Sequence, residues 1–311
     1  MPKFAKGTPT DWQWVEIADQ DVPSDIARDS EVASAIFDHL ALFFGDGSDG
    51  DVVISTNKTL GREMVYNNLT VNAGVELDAN NYRIYVRGTL TNNGVIHCNG
   101  RSATDRFGAA GRDAYMQFGR SGRGGNGGQT TGSAGSETYV LDGGLAGRGG
   151  AGGSGSAGAG GSSPAGAYPG GMPKFRTLLD LMCMSWVRVN MWSPPYAYVH
   201  VIEGGCGGGG GGGDGTNYGG GGGSGGGVVW IAARKLINNG VICARGGNGY
   251  TPTAGNCGGG GGGGGGAIVL IYREKSGSGS YDVSGGQGGS GCGSGTPGAN
   301  GQPGQVREFQ V

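Results

Sequence analysis

From Gly204 to Gly227 the chain reads GGCGGGGGGGDGTNYGGGGGSGGG, and a later run, Gly258 to Gly266, is glycine throughout. Such a segment has no Cβ atoms from which to build a side-chain core, and glycine loses more conformational freedom on ordering than any other residue. The runs are therefore either unstructured tethers or backbones packed so closely that only glycine fits. Elsewhere glycine returns at every third position, at Gly119, Gly122, Gly125 and Gly128 and again at Gly295, Gly298, Gly301 and Gly304. Three residues per turn is the period of the polyproline II helix, which makes no internal hydrogen bond and needs other chains to satisfy its amides. A glycine at every third position bares one face, as an outer rod requires; an unbroken run bares all three, as a central rod requires. The runs at Gly207 and Gly258 are thus expected inside, and the segments carrying Asn126, Ala299, Asn300 and Gln302 outside. A tether is the competing reading, but a linker joins separate domains, whereas these runs recur and return each time to strand-rich sequence. Collagen is excluded, because 11 prolines in 311 residues do not meet the composition of a triple helix.

Glycine makes up 77 of the 311 residues, against a usual share of about 7%. Only 15% of the chain is charged and the formal net charge is -2, which fits neither a solvating disordered tail nor a nucleic-acid binder. No nucleic-acid partner is expected. The N-terminal MPKFAKGTPTDWQWVEIADQD has no apolar core after its lysines, and nowhere is there an apolar stretch of about eighteen residues. Neither a signal peptide nor membrane insertion is expected. The cysteines Cys98, Cys183, Cys206, Cys243, Cys257 and Cys292 are dispersed and form no C-x-x-C pair, so they read as free, inert thiols rather than a zinc site or redox motif, with Cys206 and Cys257, each opening a glycine run, as small buried gap-fillers.

Four regions are expected. Residues 1–50 form an N-terminal segment with one helix, capped by Ser30, with Val32, Ile36, Leu40 and Phe43 along one stripe and Gly45 as its stop. Residues 51–118 are β-rich: VVIS, MVYNNLTV, VELDA, YRIYV and GVIHC are short runs divided by turn residues, paired either as a meander or as rungs of a β-helix. Residues 119–203 are a glycine-rich insertion ending in MSWVRVN and YAYVHVI, two expected strands whose Trp186, Trp192, Tyr196 and Tyr198 read as supporting core; FRTLLDLMCM is a weaker helix candidate. Residues 204–311 combine glycine runs with a repeat. YRIYVRGTLTNNGVIHCNG, from Tyr82, aligns with VVWIAARKLINNGVICARG, from Val228, and AIVLIYREKSGSGSYDVSGG is a third, weaker copy. The expected fold is mainly β: a short-strand repeat, β-helix-like or a layered sheet, with a packed polyglycine II sandwich and a small N-terminal helical segment.

Catalytic signatures are absent. The histidines His39, His97 and His200 lie in no ligand motif, and there is no G-x-S-x-G or Walker sequence. GRSGRGGNGG lacks the lysine and strand-loop-helix setting of a phosphate loop. Asp51, Glu63, Glu76 and Asp78 are carboxylates in the β region, but spacing alone sets no pair across a glycosidic bond. GDGSDGD, from Gly45 to Asp51, reads as an Asp-rich turn rather than a calcium loop, which needs a closing glutamate. No enzyme activity, cofactor or metal is expected.

The Leu90–Ile96 and Leu236–Ile242 L-x-N-N-G-V-I hairpins and their attached glycine runs resemble glycine-rich virion proteins of tailed bacteriophages, particularly distal tail-fibre adhesins with polyglycine II helices. The resemblance spans roughly Asp51 to Val311. It implies a virion-surface protein made in the host cytoplasm, held by other virion proteins through its N-terminal segment and allowed to self-associate. Its far loops would contact a host cell-surface protein or glycan through Tyr168, Asp214, Asn217, Tyr218, Tyr250, Thr251 and Asn256. Tyrosine gives contact area at low entropic cost, and Asn and Thr give adaptable polar contacts. The alternative is a non-catalytic decoration or adaptor protein of the phage head or tail.

Overall fold

The computed structural model describes residues 3–6, 13–16, 43–112, 121–136, 147–162 and 203–311. The helix expected after Ser30 lies outside these residues except for Phe43 and Phe44, which are helical and precede Gly45 at φ 78°. The helix candidate FRTLLDLMCM, the strands around Trp186 and Tyr198, and Tyr168 also lie outside them.

The described residues are mainly strand, with two parallel sheets and almost no helix. A short antiparallel pair joins β1 (Lys3–Lys6) to β2 (Gln13–Glu16). The larger sheet has seven strands: β3 (Asp51–Ile54), β5 (Met64–Tyr66), β6 (Asn68–Val71), β8 (Ile84–Asn92), β10 (Val228–Asn238), β12 (Ala267–Ser276) and β14 (Gln305–Gln310). The smaller has five: β4 (Lys58–Thr59), β7 (Glu76–Asp78), β9 (Val95–His97), β11 (Val241–Cys243) and β13 (Ser280–Asp282). Apart from β5, an extra strand of the larger sheet that pairs with β8, the chain alternates between them, placing one strand in each before moving one position along. A meander is thereby ruled out, since every neighbour in both sheets is parallel.

Alternation along each strand explains the core. Leu69, Leu90, Ile231, Leu236 and Leu270 of the larger sheet and Leu77, Ile96 and Ile242 of the smaller are buried in one cluster. Burying each such side chain contributes about 1.5–3 kcal/mol. The opposite face of β10 and β12 carries Val228, Trp230, Val269 and Ile271, which pack with Phe44 and Phe309. Buried on both sides, these strands read as near-continuous apolar runs, as parallel strands do.

The Asn-Asn-Gly turns are corners rather than hairpins: β8 and β9 belong to different sheets, as do β10 and β11. Corner stacks on corner. Asn93 N donates to Val71 O and Val95 N to Val75 O, both 2.9 Å, and Val241 N donates to Gly94 O at 2.9 Å. The side chains stack too, Asn92 on Asn238 at 2.8 Å and Asn93 on Asn239 at 2.9 Å. A Cβ on Gly94 would stand 2.3 Å from Val75 O, so the corner accepts only glycine there.

After β9, β11 and β13 the chain leaves the small sheet, runs through glycine-rich segments and returns to the large sheet. In these segments hydrogen-bond partners change with a three-residue period. Gly205, Gly208 and Gly211 donate to Gly226, Gly223 and Gly220; Cys206, Gly209 and Gly212 to Gly147, Gly150 and Gly153; Gly207, Gly210 and Gly213 to Ser136, Ser133 and Thr130, all at 2.7–3.2 Å. The run from Gly258 behaves alike at 2.6–3.0 Å: Gly258, Gly261 and Gly264 donate to Gly212, Gly209 and Cys206, Gly259, Gly262 and Gly265 to Thr296, Ala299 and Gln302, and Gly260, Gly263 and Gly266 to Tyr250, Gly247 and Ala244. Both runs are buried throughout, while Asn126, Ala299, Asn300 and Gln302 are exposed. A buried amide without a partner costs about 1–3 kcal/mol, so the segments are stable only as a set.

Candidate functional site

One end of this bundle merges into the sheets; the other is made of loops around Asp105–Phe107, Gln129–Thr131, Ser156–Gly158, Asp214–Tyr218, Tyr250–Asn256 and Cys292–Ser294. They are tied to one another. Gly215 N donates to Gln129 O at 2.8 Å, Ala157 N to Gly213 O at 3.1 Å, and Ser156 N to Asn256 O at 3.0 Å. Asp214 is their hub: Oδ1 accepts from the amides of Thr216 (2.9 Å) and Asn217 (2.7 Å), and Oδ2 from Asn217 Nδ2 and Asn256 N, both at 3.0 Å. These donors, Asn217 foremost, hold the carboxyl well below the usual carboxylate range. Gly215 at φ 92° and Gly255 at φ 75° supply the left-handed positions the loops need.

The sequence-selected residues fall into two groups. Asp214, Asn217 and Asn256 come together, but their polar atoms are used inside the tip; Asn256 Oδ1 also accepts from Ser294 N at 3.0 Å. Thr251 is likewise engaged, its Oγ1 accepting from Ser290 N at 2.9 Å. Tyr250 is half-buried, with its backbone linking Gly221 and Gly260. Tyr218 is exposed, and it has neighbours the sequence reading missed. The Arg106 guanidinium lies 4.1 Å from the Tyr218 ring centroid and 4.7 Å from that of Phe107. Among the described residues the large apolar side chains left exposed are Val53 at 63%, Phe107 at 51% and Tyr218 at 38%, so two of the three sit together at this tip. A signal for the missed pair existed: Asp105 Oδ1 accepts from Phe107 N at 2.7 Å, the same i to i+2 turn that Asp214 makes with Thr216. Each aspartate opens a loop carrying an aromatic residue.

The other acids are spent on local contacts. Asp46 accepts from Ser48 N (2.9 Å), Asp49 pairs with Arg62 and Val65 N, and Asp51 accepts from Asn67 and Asn68, so the three acids of the Asp-rich turn do not converge. Glu63 pairs with Arg83. On the outer face of the small sheet Asp78, His97, Cys243 and Asp282 are register partners. Arg112 grips both Asp78 oxygens at 3.0 Å and Arg245 holds Asp282 at 2.6 Å. Burial pushes the Cys243 thiol up and the His97 imidazole down, opposite to the shifts that make a thiolate-imidazolium pair. Among the described residues no group of three or more His, Cys, Asp or Glu is placed to hold a metal ion, and no helix is long and apolar enough to cross a membrane.

Comparison of the chain with protein families, with curated proteins and with solved structures yields no match.

Proposed function

We propose that this chain is a non-catalytic virion protein of a tailed bacteriophage, a tail-fibre or tail-tip adhesin whose glycine bundle holds binding loops rigidly away from its strand region. In this reading the glycine segments are polyglycine II helices, and the paired sheets are rungs of a β-helix-like repeat in which Tyr82–Gly100 and Val228–Gly246 are successive copies. The three-residue change of hydrogen-bond partner supports the first assignment. The register of Leu90 with Leu236 and of Ile96 with Ile242 supports the second. The N-terminal segment, residues 1–50, would attach to other virion proteins.

The observation that carries the functional reading is the exposed Phe107–Arg106–Tyr218 cluster at the loop end. Exposed aromatic residues and arginine on a rigid support are the composition of binding hot spots. Soluble protein should compete with phage for adsorption to susceptible bacteria, and the double variant F107A/Y218A should lose that competition at an unchanged melting temperature. If the unaltered protein does not compete, and a gold label at the tip lies against another virion subunit, the chain is a decoration or adaptor protein instead.

A further inference from the structure

Cys257 opens the run Gly258–Gly266, and Cys292 closes the neighbouring segment as it reaches the tip. Their backbones exchange both hydrogen bonds: Cys292 N donates to Cys257 O at 2.8 Å and Cys257 N to Cys292 O at 3.2 Å. Residues that exchange both bonds in this way have Cα atoms about 5.5 Å apart, inside the roughly 4.4–6.8 Å that a disulfide spans, while their Cβ atoms, toward the wide end of about 4.5–5.5 Å, must close to about 4.5 Å or less for the bond to form. Both thiols are free in the structure, Cys257 buried and Cys292 partly exposed. Cys292 is followed by the exposed turn at Gly293 and Ser294, so the adjustment that bonding requires falls on its side rather than on the packed run from Gly258. The site is also a junction. Asn256, beside Cys257, bonds the loops at Ser156, Asp214 and Ser294, so a covalent bond here would fix the roots of the tip loops together.

We propose that Cys257 and Cys292 form an intramolecular disulfide when the folded protein meets a small-molecule disulfide oxidant. The Cys292 thiolate attacks one sulfur of glutathione disulfide, forming a mixed disulfide and releasing one glutathione thiolate. The Cys257 thiolate then attacks Cys292 Sγ and displaces the second. Two protein thiols lose two electrons and two protons, and one glutathione disulfide becomes two glutathione thiols. The order follows from access and acidity, since burial, with the Asp214 carboxylate nearby, pushes the Cys257 thiol up. This chemistry depends on the junction at the tip and holds for an adhesin and for a structural subunit alike.

Trypsin cuts after Arg245, Arg273, Lys275 and Arg307, which leaves Cys257 and Cys292 as the single cysteines of two separate peptides. Folded protein held in glutathione disulfide, then alkylated in denaturant and digested, should lose both alkylated peptides and yield them joined, lighter by two hydrogens. Dithiothreitol should restore them, and Cys292→Ser should abolish the joined species while leaving the melting temperature of the reduced protein unchanged. Recovery of both peptides alkylated would overturn the proposal. So would glutathione retained on Cys292 with Cys257 alkylated, because the second thiol would then be out of reach.

Discussion

Asn92 donates its side-chain amide to the side-chain carbonyl of Asn238 at 2.8 Å, in the interior of the strand stack, although 146 positions separate them in the chain. The glycine excursion between β9 and β10 closes elsewhere, at the start of β10, where Gly227 N donates to Cys98 O at 2.7 Å. Asn92 Nδ2 also reaches Val241 O at 3.3 Å, whereas Asn238 Nδ2 has no partner. Asn92→Val should therefore cost about 1–3 kcal/mol by stranding Asn238. Asn238→Val should cost less, because Asn92 keeps Val241, and the double variant should be milder than the sum of the singles. Urea unfolding midpoints of the four proteins measure this.

Glycine inside the bundle is required sterically. A Cβ on Gly210 would lie 2.0 Å from Asn126 O, and one on Gly261 would lie 2.2 Å from Gly150 O, in each case against backbone that cannot rotate away. Either alanine variant should lose about 3 kcal/mol. Gly61→Ala is the control, with nothing within 4 Å, and should change stability by less than about 0.5 kcal/mol. Thermal melts compare them.

Asp214 joins the loops through its ionised carboxylate. Because its folded value is depressed, its contribution is present above the ordinary carboxylate range and is lost as pH falls through the lower folded value. At neutral pH Asp214→Ala should speed hydrogen exchange at the amides of Thr216, Asn217 and Asn256, while Gly258–Gly264 exchange as slowly as before. Slow exchange at all three amides in the variant would show that the carboxylate does not organise the tip.

His97 shows linkage of the same sign from a different cause. Burial lowers its folded value although Asp78 and Glu76 face it, with Arg112 and Arg245 opposing protonation. Neutral imidazole is favoured in the folded state, so stability is full above about pH 6.5, the unfolded value, and falls as pH drops through it toward the lower folded value. Stability of His97→Gln should vary less across that interval than that of the unaltered protein. Denaturant midpoints taken at successive pH values test it.

Sequence alone, through the three-residue glycine period, was sufficient to say which segments can be interior, because that period is a property of consecutive backbone units. The runs from Gly207 and Gly258 have no face that excludes a neighbour, and both are buried; Asn126 and Asn300 interrupt their segments, and both are exposed. The strands named within residues 51–100 and in the repeat were legible for the same local reason, whereas β1, β2 and β14 were not. Tertiary structure decided the rest. Asn-Asn-Gly looks alike in a hairpin and in a corner, and the difference lies in whether β9 pairs with β8 or with strands of another sheet. The role of Asn126 was hidden too: its side-chain oxygen accepts from Gly108 N at 2.9 Å, standing in for a carbonyl at the bundle edge, as Asn248 does for Gln287 N and Asn300 for Gly288 N. Arg106 and Phe107 became part of a surface only when their loop was set beside Tyr218. Hydrogen bonds and ring contacts depend on which distant segment arrives alongside, and that is fixed by how the whole chain returns on itself.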